Sequence, residues 1–199
     1  MEPIEIYKFK DGCQLEIYHD EDHLNPRKEF DNLCIMVCFH KRYDIGDKHE
    51  YKSENFNSRW NGWDELKSAL RTHNPGCLIS PLFLMDHSGL SISTIPFGCK
   101  WDSGQIGFIF ITQNIIIEHF NGDDKKAESC LLAEVSQYDQ YLRGDIYGFI
   151  LRNKPCKECG GPGKNLDSCW GFYGSYPLEN GMSDNLKREY VEELKCYQS

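Results

Sequence analysis

Apolar and polar residues alternate from the start of the chain. Ile4-Glu5-Ile6-Tyr7-Lys8-Phe9-Lys10 and Gln14-Leu15-Glu16-Ile17-Tyr18 both repeat with a period of two, the mark of a half-buried strand. Asp11-Gly12 between them predicts a two-residue type I′ turn, because that turn needs positive φ angles that Asp and Gly tolerate. Residues 4–18 therefore read as a β-hairpin. His19 to Asp31 is polar, holds Asn25-Pro26 and reads as a loop. Leu33 to Phe39 is a nearly continuous apolar run and predicts a buried strand. Residues 40–55 are highly charged and read as exposed.

The period then lengthens. Trp63, Leu66, Ala69 and Leu70 share one face of a helix predicted over 62–73, and Asn74-Pro75-Gly76 ends it. Cys77–Met85 and Leu90–Thr94, parted at Gly89, predict a second hairpin. Gln105–Thr112 predicts another strand. Gln113–Phe120 is divided: β-branched Ile115, Ile116 and Ile117 favour strand, and a helical turn is the alternative. Ala127, Leu131, Val135, Tyr138 and Leu142 form a helix stripe over 124–142, with Arg143-Gly144 as the stop. Ile146–Arg152 and Ser168–Tyr173 read as strands joined by a Gly- and Cys-rich connection. The stretch 184–197 reads as a helix through Leu186, Tyr190, Val191 and Leu194. The sum is an α+β fold: an antiparallel or mixed sheet built from hairpins and packed by two to four helices, expected as one compact domain over 1–199.

Composition supports a packed core, with 40% hydrophobic and 13% aromatic residues in 199. The net charge of −9 disfavours nucleic acid as a direct ligand, since such proteins present a basic face. No run approaches the ~18 apolar residues of a membrane span. Met-Glu-Pro-Ile-Glu has neither a basic region nor an apolar core, so no secretory signal is expected there. The ten cysteines are then expected to be mostly reduced thiols in a cytoplasm. Cys34, Cys38, Cys77 and Cys130 sit in apolar surroundings, where Cys acts as a small hydrophobe.

Five clusters carry candidate chemistry. Cys156-x2-Cys159, followed by Gly160-Gly161, is half of a zinc knuckle; Cys169, Cys196 or a distant His would have to complete the four ligands. No other cofactor is expected. Asp86-His87-Ser88-Gly89 has the residue types of a hydrolytic triad, but three adjacent side chains cannot converge, so a polar turn is the reading, with His87 open as a site residue. Trp101-Asp102-Ser103-Gly104-Gln105 leads from a turn into a strand. Gln105 carries four hydrogen-bonding sites that need partners if buried. Glu134 and Tyr138 share a helix face at a spacing of four, and Asp139 and Asp145 lie near the helix end, where the macrodipole disfavours negative charge and a compensating cation or Arg is expected. His40-Lys41-Arg42-Tyr43 reads as surface charge, with a small anion-binding patch as the alternative.

Several of these strings resemble a known group. Asp86-His87-Ser88-Gly89-Leu90-x-Ile92-Ser93-Thr94, Trp101-Asp102-Ser103-Gly104-Gln105-Ile106-Gly107, Tyr138-Asp139-Gln140-Tyr141-Leu142-x-Gly144-Asp145-Ile146-Tyr147-Gly148-Phe149 and Asp167-Ser168-Cys169-Trp170-Gly171-Phe172-Tyr173-Gly174 are similar to a family of small, largely uncharacterised proteins of phages, prophages and mobile elements. The resemblance implies an accessory protein that binds a host or phage protein and counters host defence, as an anti-CRISPR protein or another immune inhibitor does. Two rivals stand beside it. One is a small enzyme or ligand-binding protein for a nucleotide-like substrate, its pocket built from His87, Asp102, Gln105, Asp139 and Asp145. The other is a zinc-supported nucleic-acid adaptor using Cys156 and Cys159.

Overall fold

Eight strands form two antiparallel sheets of four in this computed structural model, which describes residues 2–51, 62–156 and 160–197. Five α-helices accompany them among the described residues, so the fold class is α+β, as the sequence predicts. The chain divides into two compact units, residues 1–24 with 144–199, and residues 25–143.

The first unit holds β1 (Glu5–Lys8), β2 (Gln14–His19), β7 (Ile146–Arg152) and β8 (Asn165–Tyr173), in the spatial order β1-β2-β7-β8. Register pairs Leu15 with Leu151 and Ile17 with Phe149, which puts all four on one face. Helix α5 (Arg188–Cys196) covers that face with Tyr190 and Leu194. The rings of Phe9 and Tyr190 stack at 4.3 Å. The open edge of β1 is closed by the same helix and its end: Lys10 N donates to Glu193, and Lys8 exchanges two hydrogen bonds with the Tyr197 hydroxyl. On the opposite face Arg152 pairs with Glu16 at 2.7 Å, and Tyr18 donates to the same carboxylate at 2.6 Å.

The predicted hairpin forms, but its turn differs. Phe9 N donates to Cys13 O and Gly12 N to Phe9 O, which closes a three-residue loop, Lys10-Asp11-Gly12. Only Gly12 of that loop takes positive φ, at 88°. A type I turn followed by one left-handed residue replaces the type I′ turn, because Asp11 uses its carboxylate to accept from Cys13 N at 2.8 Å.

The second unit holds β3 (Ile35–Cys38), β4 (Leu78–Asp86), β5 (Leu90–Ser93) and β6 (Ser103–Ile111), in the order β3-β6-β4-β5. Both sheet faces are covered. Met36, Leu82, Leu84, Ile92, Ile109 and Ile111 pack against Ala127, Leu131, Val135 and Tyr138 of α4 (Asp124–Arg143) and Ile116 of α3 (Gln113–Phe120). Val37, Phe108 and Phe110 pack on the other face against Leu66 and Leu70 of α2 (Gly62–His73). Burial on both faces is why β6 lacks alternation in sequence. The ambiguous stretch 113–120 is helical: Thr112 caps it and the three isoleucines ride a helix whose Ile116 is fully buried.

Residues 19–31, whose polar sequence predicts a loop, hold a helix, α1 (Pro26–Glu29), a single turn with Asn25 as N-cap and Pro26 in its first turn. It delivers Arg27 to the interior. The guanidinium, 1% exposed, forks onto both Asp47 oxygens at 2.9 and 2.5 Å, meets Glu134 at 2.6 Å and donates to Cys34 O at 2.8 Å. Within the charged stretch read as exposed, Ile45 is buried and Asp47 engages this arginine; residues 52–55 of it lie outside the described residues.

Candidate functional site

Three of the clusters singled out in sequence meet at one end of the second sheet. Strand β4 ends at Asp86, β6 begins at Ser103, and these ends are neighbours because Met85 pairs with Ser103. Asp86 N donates to the backbone oxygen of Asp102 at 2.8 Å. Arg42, just beyond β3, forms an ion pair with the Asp86 carboxylate and lies over the Tyr43 ring at 5.3 Å. His87 Nδ1 lies 3.0 Å from Asp102 Oδ2, and Cys99 Sγ lies 3.6 Å from that same oxygen.

The β5–β6 connection is thereby tied down at several points. Ile95 N donates to Ser93 Oγ at 3.0 Å, the Ser103 hydroxyl donates to the backbone oxygen of Cys99, and Asp102 holds His87. Between these ties Trp101 stands 96% exposed, and Ile95 is 72% exposed. A Trp side chain left in water forgoes ~4 kcal/mol or more of burial.

Gln105 and Gly107 explain the rest of that motif. The β4–β6 register shifts between Leu82, opposite Gly107, and Phe83, opposite Gln105, so Ile106 is an extra residue in a β-bulge. Gln105 Nε2 spans the bulge and donates to Gly107 O at 3.3 Å. A Cβ on Gly107 would overlap the backbone oxygen of Val37 in β3, so the close strand approach requires glycine.

Asp139 does a different job. It projects from α4 onto the edge strand β5, where Oδ1 accepts from Ser91 Oγ at 2.6 Å and Ile92 N at 2.8 Å, while Arg143 balances Oδ2 at 3.1 Å. That arginine is the cation expected to compensate acids near a helix end. Asp145 belongs to the first unit, at the start of β7, where it accepts from Tyr147 OH at 3.4 Å and its backbone oxygen accepts from Gly174 N at 2.9 Å. Of the five predicted pocket residues, then, His87 and Asp102 are paired directly, Gln105 serves the bulge three residues away, Asp139 caps β5, and Asp145 lies in the other unit. None of the five lines a cavity of ~810 Å³ in the second unit, which is bordered by Phe39, His40, Tyr43, His49, Trp63 and Leu66 among others.

For zinc, Cys156 is exposed, with its N–H donating to Gly161 O and its C=O accepting from Gly160 N; Cys159 lies outside the described residues. Among the described residues, the ligand atoms of Cys34, Cys130 and Glu134 come within 4.8 Å of one another. Sequence reasoning missed Cys99, Arg27 and Asp47. Nothing local marks Arg27 or Asp47, because their partners lie on other elements; Cys99 meets Asp102 only three residues on, a spacing with no signature of its own.

No family model, curated protein or solved structure matches the chain. No helix among the described residues is long and apolar enough to cross a membrane.

Proposed function

We propose that the chain is a binding protein of a phage or mobile element that inhibits a host defence component, and that it seats Trp101 in that partner. The observation that carries this reading is the contrast between the exposed ring and the fastened loop beneath it. Asp102 ties the loop to His87 and Ser103 ties it to Cys99, so Trp101 is presented on a backbone already held in place, which lowers the ordering cost of binding. Tryptophan is enriched among the residues that dominate protein interfaces. The charge of −9 favours a protein partner over nucleic acid. The biological setting comes from the sequence resemblance.

The test is a tagged pull-down from defence-bearing host lysate, paired with a phage-plating assay. The expected result is a stoichiometric host protein and restored plating with wild type, both reduced at least tenfold by Trp101→Ala with the melting temperature unchanged. Wild type that restores plating in no defence-bearing host and retains no partner ends the reading.

A second reading has its own support in the His87–Asp102 pair. A carboxylate on Nδ1 fixes the imidazole orientation and directs Nε2 away from Asp102, as a general acid or base requires. A small enzyme or nucleotide-binding protein would use it. Calorimetric titration with a nucleotide panel, comparing wild type with Asp102→Ala, tests this: saturable binding lost in the variant supports it, and no heat from wild type removes it.

A further inference from the structure

The side chains of Cys34 and Cys130 meet in the second unit, away from the Trp101 loop. Cys34 lies in the stretch leading into β3, and Cys130 in the first half of α4. Their sulfurs and a carboxylate oxygen of Glu134 lie within 4.8 Å of one another. Two thiols and a carboxylate are the donor set of a metal site, but the carboxylate is already committed. Its Oε1 accepts from Leu33 N at 2.8 Å and Cys34 N at 3.1 Å, and Arg27 sits on Oε2 at 2.6 Å. A cation there would face the guanidinium, and two sulfurs do not make the four ligands of structural zinc.

What remains is a thiol pair of unequal access. Cys34 is 2% exposed and Cys130 is partly exposed. Burial, with the Glu134 charge beside it, pushes both thiols up, so both are neutral near pH 7. The nearby Cys34 thiol partly offsets that rise at Cys130 and leaves Cys130, the more exposed of the two, the better nucleophile. A disulfide is also neutral. Oxidation therefore adds no charge to this buried position, whereas a metal with two thiolates would.

We propose that Cys34 and Cys130 are a redox modification site, forming a reversible disulfide by exchange with a small-molecule disulfide such as oxidised glutathione. The Cys130 thiolate, its proton lost to solvent, attacks one glutathione sulfur; a mixed disulfide forms and one glutathione thiolate leaves and takes up a proton. Cys34 then loses its proton and attacks the Cys130 sulfur, expelling the second glutathione. Two protein thiols are oxidised and one glutathione disulfide is reduced to two thiols. The product staples the approach to β3 onto α4. In a reducing cytosol such a bond is transient, so it reports redox state rather than serving as a fixed brace.

The experiment uses the full chain with Cys99, Cys156, Cys159 and Cys196 replaced by Ser, equilibrated in glutathione buffers, trapped by alkylation and mapped by mass spectrometry. The expected result is a Cys34–Cys130 cross-linked peptide in native buffer, reversed by dithiothreitol, absent in Cys130→Ala, with the melting temperature raised by about 5 °C or more. Cys34→Ala is the second control, expected to stop at a glutathione adduct on Cys130. Circular dichroism confirms that both variants fold. The proposal is overturned if both thiols remain alkylatable at glutathione disulfide levels that fully modify Cys99 in the unsubstituted chain, or if the link forms only in denaturant.

Discussion

Arg27 and Glu134 meet at 2.6 Å across 107 positions of sequence, and the other oxygen of that glutamate holds the backbone of Leu33 and Cys34. One carboxylate thus ties α4 to α1 and to the approach to β3. Burial works against the Arg27 charge, but hydrogen bonds and charge from Asp47 and then Glu134 outweigh it and hold the guanidinium protonated. Glu134→Ala leaves this cation short of a partner and orphans two backbone donors. The expected loss is about 3–5 kcal/mol by urea unfolding. A loss below ~1 kcal/mol would falsify the role given to this contact.

High pH should unfold the protein through its buried acids. Burial lifts Cys38 from an ordinary 9.0 to about 12 and Tyr138 from 10.0 to about 12, and it moves Cys34 in the same direction. Below pH 9 both folded and unfolded chains keep these protons, and the contribution is whole. Between pH 9 and 12 the unfolded chain releases protons that the folded chain retains, so stability falls, by about 1.4 kcal/mol per pH unit for each fully shifted group. The urea midpoint should be level from pH 7 to 8.5 and drop steadily from 9 to 11. Cys38→Ala should flatten that slope; a slope unchanged by the substitution would count against burial as its cause.

The predicted pocket residues divide by role. Asp139→Ala removes the acceptor for Ser91 and Ile92 and should cost about 1–3 kcal/mol. His87→Ala, at an exposed position, should stay within about 0.5 kcal/mol. Thermal melts of the two variants distinguish them, and equal losses would contradict the division.

Two glycines offer a further contrast. Gly107→Ala drives a methyl into the Val37 backbone, which cannot yield without parting β3 from β6, and the expected loss is about 3 kcal/mol or more. Gly148→Ala meets the ring of Trp170, which is partly exposed and can swing away. That variant should lose about 1–2 kcal/mol, with a shift in tryptophan emission. A Gly148→Ala protein that will not fold would show Trp170 to be fixed in place.

Elements repeated locally were legible in the sequence. The period-four stripe from Ala127 to Tyr138 marks the α4 core face, and the helix over 62–73 has the bounds that its apolar face and Asn74-Pro75-Gly76 imply. The Asp11-Gly12 turn was readable as a turn but not in type, since the Asp11 carboxylate competes for the backbone. Arg27 was hidden because its partners Asp47 and Glu134 are remote, and a lone arginine in a polar stretch carries no sign of burial. At the candidate site the strings Asp86-His87 and Trp101-Asp102 were visible. Their convergence was not, because it depends on β4 and β6 being neighbours.

The first unit is split in sequence: β2 and β7 are adjacent strands, yet Glu16 and Arg152, paired across them, stand 136 positions apart. On a ribosome the β1–β2 hairpin emerges early with one edge bare, and it must wait for the whole of residues 25–143 before its partner strand is made. The second unit is continuous and can fold during that interval. Synthesis therefore sets an order, with the Trp101 loop assembled before the sheet that opens the chain is complete.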